Sequence, residues 1–260
     1  MEEGDWNVVA GAFFDCWSTS VHVIPNFTPP KSWTRINGFD WGSARPYAYL
    51  KAAVSDGVPV SIKPGLQPCF PKGAIICYNE LYGAKSANVG LNQDAETVAG
   101  ILKGFEGGDK PNKRIADPSC WKMDGGPSIH ERMSAQPYGL MMFKADNTRI
   151  PGWDQVRARL LGNVDPSGIS VPMLYFTEAC QNTIRTLPAL QHDATTPEDV
   201  DSDGEDHAAD AVRYICMSRP YVRTIAEPSE TFRGLTGMTW EELFAWQSRL
   251  NTNRGSEKRI

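Results

Sequence analysis

The chain has 260 residues, 41% of them hydrophobic and 22% charged, with a formal net charge of −5. That composition suits a globular protein with ample core, and the negative balance argues against generic nucleic-acid coating. No apolar stretch nears the roughly 18–20 residues of a membrane span, and the N-terminus lacks the basic start of a signal peptide, so an intracellular protein off the membrane is expected.

Residues 1–34 read as an irregular lead-in, broken by Pro25, Pro29 and Pro30, with one short strand at 21–24. A compact domain is expected over 35–220. Its first strand, 35–42, ends in a Gly-punctuated turn, and strands 47–54 and 74–82 follow at hairpin distance. Residues 55–73 are rich in Pro and Gly and form a long tip or an insertion. A helix at 97–105 has apolar spacing at Val98, Ile101, Leu102 and Phe105, closed by Gly107-Gly108. Strand 113–116 then runs into Asp117-Pro118. Beyond it come a helix at 128–133, a strand at 139–143, a helix at 153–161, a strand at 171–176, a helix at 181–187 and a last helix ending at Met217. Pro220 stops that helix, and the tail 221–260 carries one weak helix at 239–250.

A three-stranded meander followed by alternating helices and strands implies an α/β fold of the ribonuclease H-like, resolvase-like kind, a mixed sheet flanked by helices. The six cysteines (Cys16, Cys69, Cys77, Cys120, Cys180, Cys216) include no Cys-x-x-Cys pair. Free, buried thiols are expected, and no structural zinc.

The densest chemistry lies in Asp199-Val-Asp201-Ser-Asp203-Gly204-Glu205-Asp206-His207-Ala-Ala-Asp210, which contains no Lys or Arg. These acids open directly into the last helix, where a divalent cation would relieve their mutual repulsion. His207 and Asp210, three apart, share one helix face, and Asp206 lies one turn before Asp210. Two further acids sit at element ends that such a sheet brings together: Asp40, near the end of the first strand, and Asp117, just past the fourth. Ligands of open α/β sheets collect at the carboxyl ends of strands. Oxygen donors plus one imidazole suit Mg²⁺ or Mn²⁺. Glu80, on the third strand, is a further candidate, sharing a face with Ile76 and Tyr78 by strand alternation. Taken singly, each acid also has a structural reading as a cap or turn opener.

The run also nearly fits the calcium-loop pattern, Asp199-x-Asp201-x-Asp203-Gly204. It departs from that pattern at Asp210, where a Glu is needed, and it lacks a good entering helix. Between Lys110 and Arg159, Lys and Arg outnumber Asp and Glu. Lys122, Arg132, Lys144 and Arg149 are the candidate phosphate contacts, which would give salt-sensitive, largely sequence-independent binding.

Four segments together carry a family resemblance: Arg35-Ile-Asn-Gly-Phe-Asp40-Trp-Gly42, Ile115-Ala-Asp117-Pro-Ser, Asn182-Thr-Ile-Arg-Thr-Leu-Pro188 and Asp203-Gly-Glu-Asp-His207-Ala-Ala-Asp210-Ala-Val-Arg-Tyr214. From about residue 35 to Pro220 the chain resembles the nuclease domain of tailed-phage large terminase subunits. The resemblance implies an endonuclease that cuts concatemeric viral double-stranded DNA during genome packaging with two Mg²⁺ or Mn²⁺ ions. It implies Asp40, Asp117 and Asp210 as the catalytic acids, with His207 completing the ligand set, and it leaves Asp206 open.

Complete subunits of that family also carry an ATPase motor. No G-x-x-x-x-G-K-[ST] occurs here, so residues 1–34 are expected to be the end of a linker from a missing ATPase domain. The implied partners are that ATPase domain, the small terminase subunit and the portal protein, met in a transient complex on the procapsid in the host cytoplasm. The rivals are a junction resolvase on the same fold and a catalytically silent DNA- or portal-docking module. A two-carboxylate glycosidase fits less well, because the acids and the His exceed what that chemistry needs.

Overall fold

A computed structural model describes residues 11–165 and 168–225. The tail helix expected at 239–250 lies outside these residues. The chain divides into two compact units. The larger comprises Met1–Gly162 with Val171–Arg223, and the smaller comprises Asn163–Ser170 with Thr224–Ile260. In the smaller unit Val164 bridges Ile225 in parallel, and the Thr224 amide donates to Asn163 Oδ1 at 2.9 Å.

The larger unit opens with a single helical turn, α1 (Thr19–His22), and a two-residue strand, β1 (Val23–Ile24). The meander follows as β2 (Thr34–Asp40), β3 (Ala48–Val54) and β4 (Ile75–Tyr82), trailed by a small hairpin of β5 (Ala84–Ser86) and β6 (Val89–Gly90). Next come α2 (Ala95–Glu106), β7 (Lys113–Ala116), a 3₁₀ turn at Pro118–Trp121, α3 (Ile129–Ser134), β8 (Phe143–Lys144) and α4 (Arg149–Leu161). The short strands β9 (Asn163–Val164) and β10 (Ser170–Val171) lie at the start and end of the first segment of the smaller unit, and β11 (Leu174–Thr177), α5 (Gln181–Thr186) and α6 (His207–Met217) complete the larger one.

Seven strands form one mixed sheet in the order β1-β11-β4-β3-β2-β7-β8. The meander β2-β3-β4 is antiparallel, while β7 joins β2 and β11 joins β4 in parallel. Alternation along β2 sends Ile36 and Gly38 to the face covered by α6 and Phe39 to the face covered by α2. The α6 face holds the main core, where Ala208, Ala209, Ala211 and Ile215 are fully buried. Gly38 permits that close approach, because a Cβ there would lie 2.4 Å from the Ala211 carbonyl oxygen and 2.7 Å from Ile215.

Several local expectations give way. Phe13, Phe14 and Trp17 are buried in the main core, and β1 pairs with β11, so residues 12–24 belong to the domain rather than to a lead-in. Burying three large aromatic rings removes several hundred Å² of apolar surface from water, enough to hold a segment that has no regular period. Helix α4 begins at Arg149 rather than Trp153, since Pro151 falls in the first turn, where a missing N–H costs nothing. The strand expected at 139–143 shrinks to β8. The cysteines are all free, with Cys77, Cys120, Cys180 and Cys216 buried, Cys16 half-buried and Cys69 exposed. Among the described residues no helix is long and apolar enough to cross a membrane.

Candidate functional site

Asp40 is the last residue of β2 and only 6% exposed. Its neighbour across the parallel pair is the end of β7: Phe39 registers with Ala116, and the Asp117 amide donates to the Phe39 carbonyl at 2.9 Å. Asp117 therefore leaves the sheet beside Asp40. Above both lies the start of α6. His207 Nδ1 stands 3.3 Å from Asp40 Oδ2, and the Tyr214 hydroxyl reaches Asp40 Oδ1 at 3.4 Å. Distant parts of the chain thus meet at one strand-end corner. Gly38 sets the height of α6 over β2, so this backbone position fixes how near His207 comes to Asp40.

The electrostatics are those of crowded acids. Burial, then repulsion from Asp210 and Asp117, pushes the Asp40 carboxyl up to about 7 despite the His207 hydrogen bond. Burial and Asp210 push Asp206 up to about 6, against the pull of His207 and Arg149. Asp210 is raised by burial, with Arg213 opposing. For His207, burial disfavours the cation, yet Asp40, Asp206 and Asp210 outweigh it and the imidazole is raised. His207 Nε2 is buried with no hydrogen-bond partner among the described residues. With Nδ1 turned to Asp40, that orphaned nitrogen is the one available to a ligand.

Other partners occupy part of this acidic corner. Asp210 pairs with Arg213 at 2.9 Å, and Arg213 is itself anchored on the Asn147 carbonyl at 2.8 Å and packed over Trp153. Asp117 caps the 3₁₀ turn, accepting from the Ser119 amide at 3.0 Å and from its hydroxyl. As the side chains stand, among the described residues no three Asp, Glu, His or Cys groups are arranged to hold a metal ion together. The donor set nevertheless fits a hard divalent cation. Asp40, Asp117 and Asp210 bring oxygen donors to one corner, their mutual repulsion invites a cation, and His207 Nε2 lacks a partner among the described residues. Seating it requires Asp117 and Asp210 to turn away from their present partners, Ser119 and Arg213.

The remaining sequence candidates are more dispersed. Asp206 is the residue preceding α6 and faces Arg149 Nη1 at 3.6 Å. Glu80 accepts from the Asn182 amide, from the Thr183 amide at 3.0 Å and from the Thr183 hydroxyl at 2.7 Å, so it caps α5. The alternation expected along β4 fails there. A bulge at Tyr78, where Lys51 pairs with Asn79 but Ala52 pairs with Cys77, turns Glu80 to the face opposite Ile76. Of the phosphate candidates, Lys122 and Lys144 are exposed near Asp117, with Lys144 Nζ 5.6 Å from the Trp121 ring. Arg132 is paired with Glu96. Arg149 grips Asp199 at 2.9 Å and the Val200 carbonyl at 2.9 Å, within the acidic segment rather than on a basic face.

Two contributors went unread in the sequence. Arg213 follows Asp210 at i+3, a spacing that favours such a pair on one helix face. Tyr214, at i+4 from Asp210, had no comparable signal, because its role depends on β2 passing beneath.

Fold and corner together define a ribonuclease H-like α/β domain with an acidic centre at adjoining strand ends. Among solved structures, the large terminase of a thermophilic bacteriophage, in complex with ADP, matches with a TM-score of 0.57 at 19% identity, over 79% of this chain and 44% of that one. The large terminase nuclease domain of phage P22 matches with a TM-score of 0.54 at 15% identity, over 81% of this chain and 93% of that one. The chain thus spans less than half the length of the thermophilic phage's terminase and nearly all of the P22 nuclease domain. No protein-family model and no curated protein matches the sequence.

Proposed function

We propose that this domain is a metal-dependent endonuclease that cleaves double-stranded viral DNA during genome packaging, as the nuclease part of a large terminase subunit. The observation that carries the reading is the corner itself. Asp40, driven towards neutrality by burial and then by Asp210 and Asp117, lies under an imidazole whose outer nitrogen has no partner among the described residues. Burying so many acids together is costly for a merely structural role. The fold shared with the P22 nuclease domain supports the same reading.

In this proposal Asp40, Asp117 and Asp210 hold two Mg²⁺ or Mn²⁺ ions, with His207 as a further ligand. Cations held there would stabilise charge on the phosphodiester and activate a water for in-line attack. Asp40 orients His207 through Nδ1, which leaves Nε2 to hold a cation or accept a proton. In this reading Asp210 turns from Arg213, and Asp117 from Ser119, towards the cations. Asp206 is paired with Arg149 and shapes the acidic wall, while Glu80 acts at a distance by securing α5. The ATPase domain, small subunit and portal belong to the same proposal, as does action at the procapsid in the host cytoplasm.

The test is cleavage of supercoiled plasmid in Mn²⁺ by the wild type and by Asp40→Ala and Asp210→Asn, each with its fold verified by circular dichroism. Nicking and linearisation by the wild type and their loss in both variants are expected. Full activity in both variants refutes the assignment. Selective cutting of four-way junctions over linear duplex would favour a resolvase instead.

A further inference from the structure

An acidic centre repels a polyanion, so a DNA-cutting site of this kind needs fixed positive charge beside it. One edge of the sheet carries such charge. At the far end from Asp117, a groove of about 610 Å³ is lined by Lys103, Lys110, Arg114, Tyr138 and Met141, with Glu106 at its base. Glu106 is buried and neutralised by Arg114 at 2.6 Å, so it adds no repulsion. Arg114 also reaches the Met141 carbonyl, which ties the groove to the segment leading into β8.

β8 is the outermost strand of the sheet, and it registers Phe143 against Ile115 and Lys144 against Ala116, one residue before Asp117. Phe143 is 55% exposed and Met141 62%. Lys113 Nζ lies over the Phe143 ring at 5.2 Å, and Lys144 Nζ over the Trp121 ring at 5.6 Å. Lys110, Lys113, Lys144 and Lys122 are all exposed along this edge.

The geometry points to a nucleic-acid track along the β7–β8 edge. Lys110, Lys113, Lys144 and Lys122 carry the sugar–phosphate backbone of one strand of a duplex from the groove to the Asp117 corner. Point charges spaced along an open strand edge match the phosphate backbone of a duplex. Of the acids next to these lysines in the chain, Asp109 is paired with Arg35 and Lys51, and Asp146 accepts from Thr148. The track rests on the nuclease reading for its substrate and for its direction, and on its own residues for binding.

The test separates the two. Binding of a fluorescent duplex of about 30 base pairs is followed by anisotropy in EDTA, where no cleavage occurs, from 50 to 200 mM salt. Wild type is expected to bind with a steep salt dependence. Lys110→Ala/Lys113→Ala should lower the slope of log K against log salt by about 2 and weaken binding at 50 mM salt roughly tenfold or more. Lys144→Ala should lower the slope by about 1, and Lys63→Ala, on the Pro-rich loop, should change neither quantity. Wild-type slope and affinity in the double variant overturn the track, as does a wild type that fails to bind duplex at 50 mM salt. Absence of plasmid cleavage by a wild type that binds in this pattern overturns the nuclease reading alone.

Discussion

Replacing Asp40 by Asn should abolish cleavage and yet make the metal-free protein more stable above neutral pH. A carboxyl that holds its proton to about pH 7 in the folded state, against an ordinary 3.8, penalises folding at pH 8 by about 4 kcal/mol at most. Asn is nearly isosteric and uncharged, so it removes the cost of burying the charge and then the repulsion from Asp210 and Asp117. It also weakens the contact with His207, which returns roughly 1–2 kcal/mol of the gain. A net stabilisation of about 2 kcal/mol remains, worth roughly 4–8 °C in Tm for a domain of this size. Thermal unfolding of both proteins in EDTA at pH 8 and pH 5 measures it, alongside plasmid cleavage in Mn²⁺. The gain should shrink at pH 5, where folded Asp40 is already protonated. An Asp40→Asn protein less stable than wild type at pH 8 would make Asp40 a structural acid instead.

The metal-free wild type should lose stability as pH rises from 6 to 8. Folded Asp40 binds its proton more tightly than an unfolded carboxyl, and folded His207 more tightly than an unfolded imidazole, so the unfolded state sheds protons first and both effects carry the same sign. Denaturation in EDTA across that window checks it, and Mn²⁺ should flatten the slope; stability that rises with pH contradicts it. Gly38→Ala should cost about 3 kcal/mol, because its Cβ would meet the Ala211 carbonyl oxygen and force α6 off the sheet; urea denaturation with a change under about 0.5 kcal/mol, the range of an ordinary surface substitution, would remove Gly38 from its spacing role. Glu80→Gln should cost about 1–2 kcal/mol through the lost cap of α5 while leaving Mn²⁺ affinity unchanged by calorimetric titration. A fall in that affinity would return Glu80 to the metal site.

The meander, α2, β7 and α6 were legible because each has a clear period and a terminator, as with Gly107 closing α2 and Pro220 following α6. The neighbouring of Asp40 and Asp117 followed from a parallel pairing of β2 with β7, which the element order already implied. What escaped notice was set by tertiary contact. The aromatic residues Phe13, Phe14 and Trp17 have no spacing that announces burial. The bulge at Tyr78 reverses the face of Glu80 without any Gly to mark it. Arg149 read as a phosphate contact because its partners, Asp199 and Asp206, lie far along the chain in the acidic run. The resemblance and the residue pattern converged on the same acids, but the orphaned nitrogen of His207 could be seen only once Asp40 had claimed the other.

Anomalous diffraction from crystals soaked in Mn²⁺ would locate the cation outright. Peaks bounded by the carboxylates of Asp40, Asp117 and Asp210, with His207 Nε2 turned towards one of them, are expected. Manganese bound only elsewhere, with Asp210 still locked to Arg213 and the corner without an ion, would show that these acids do not form a metal centre.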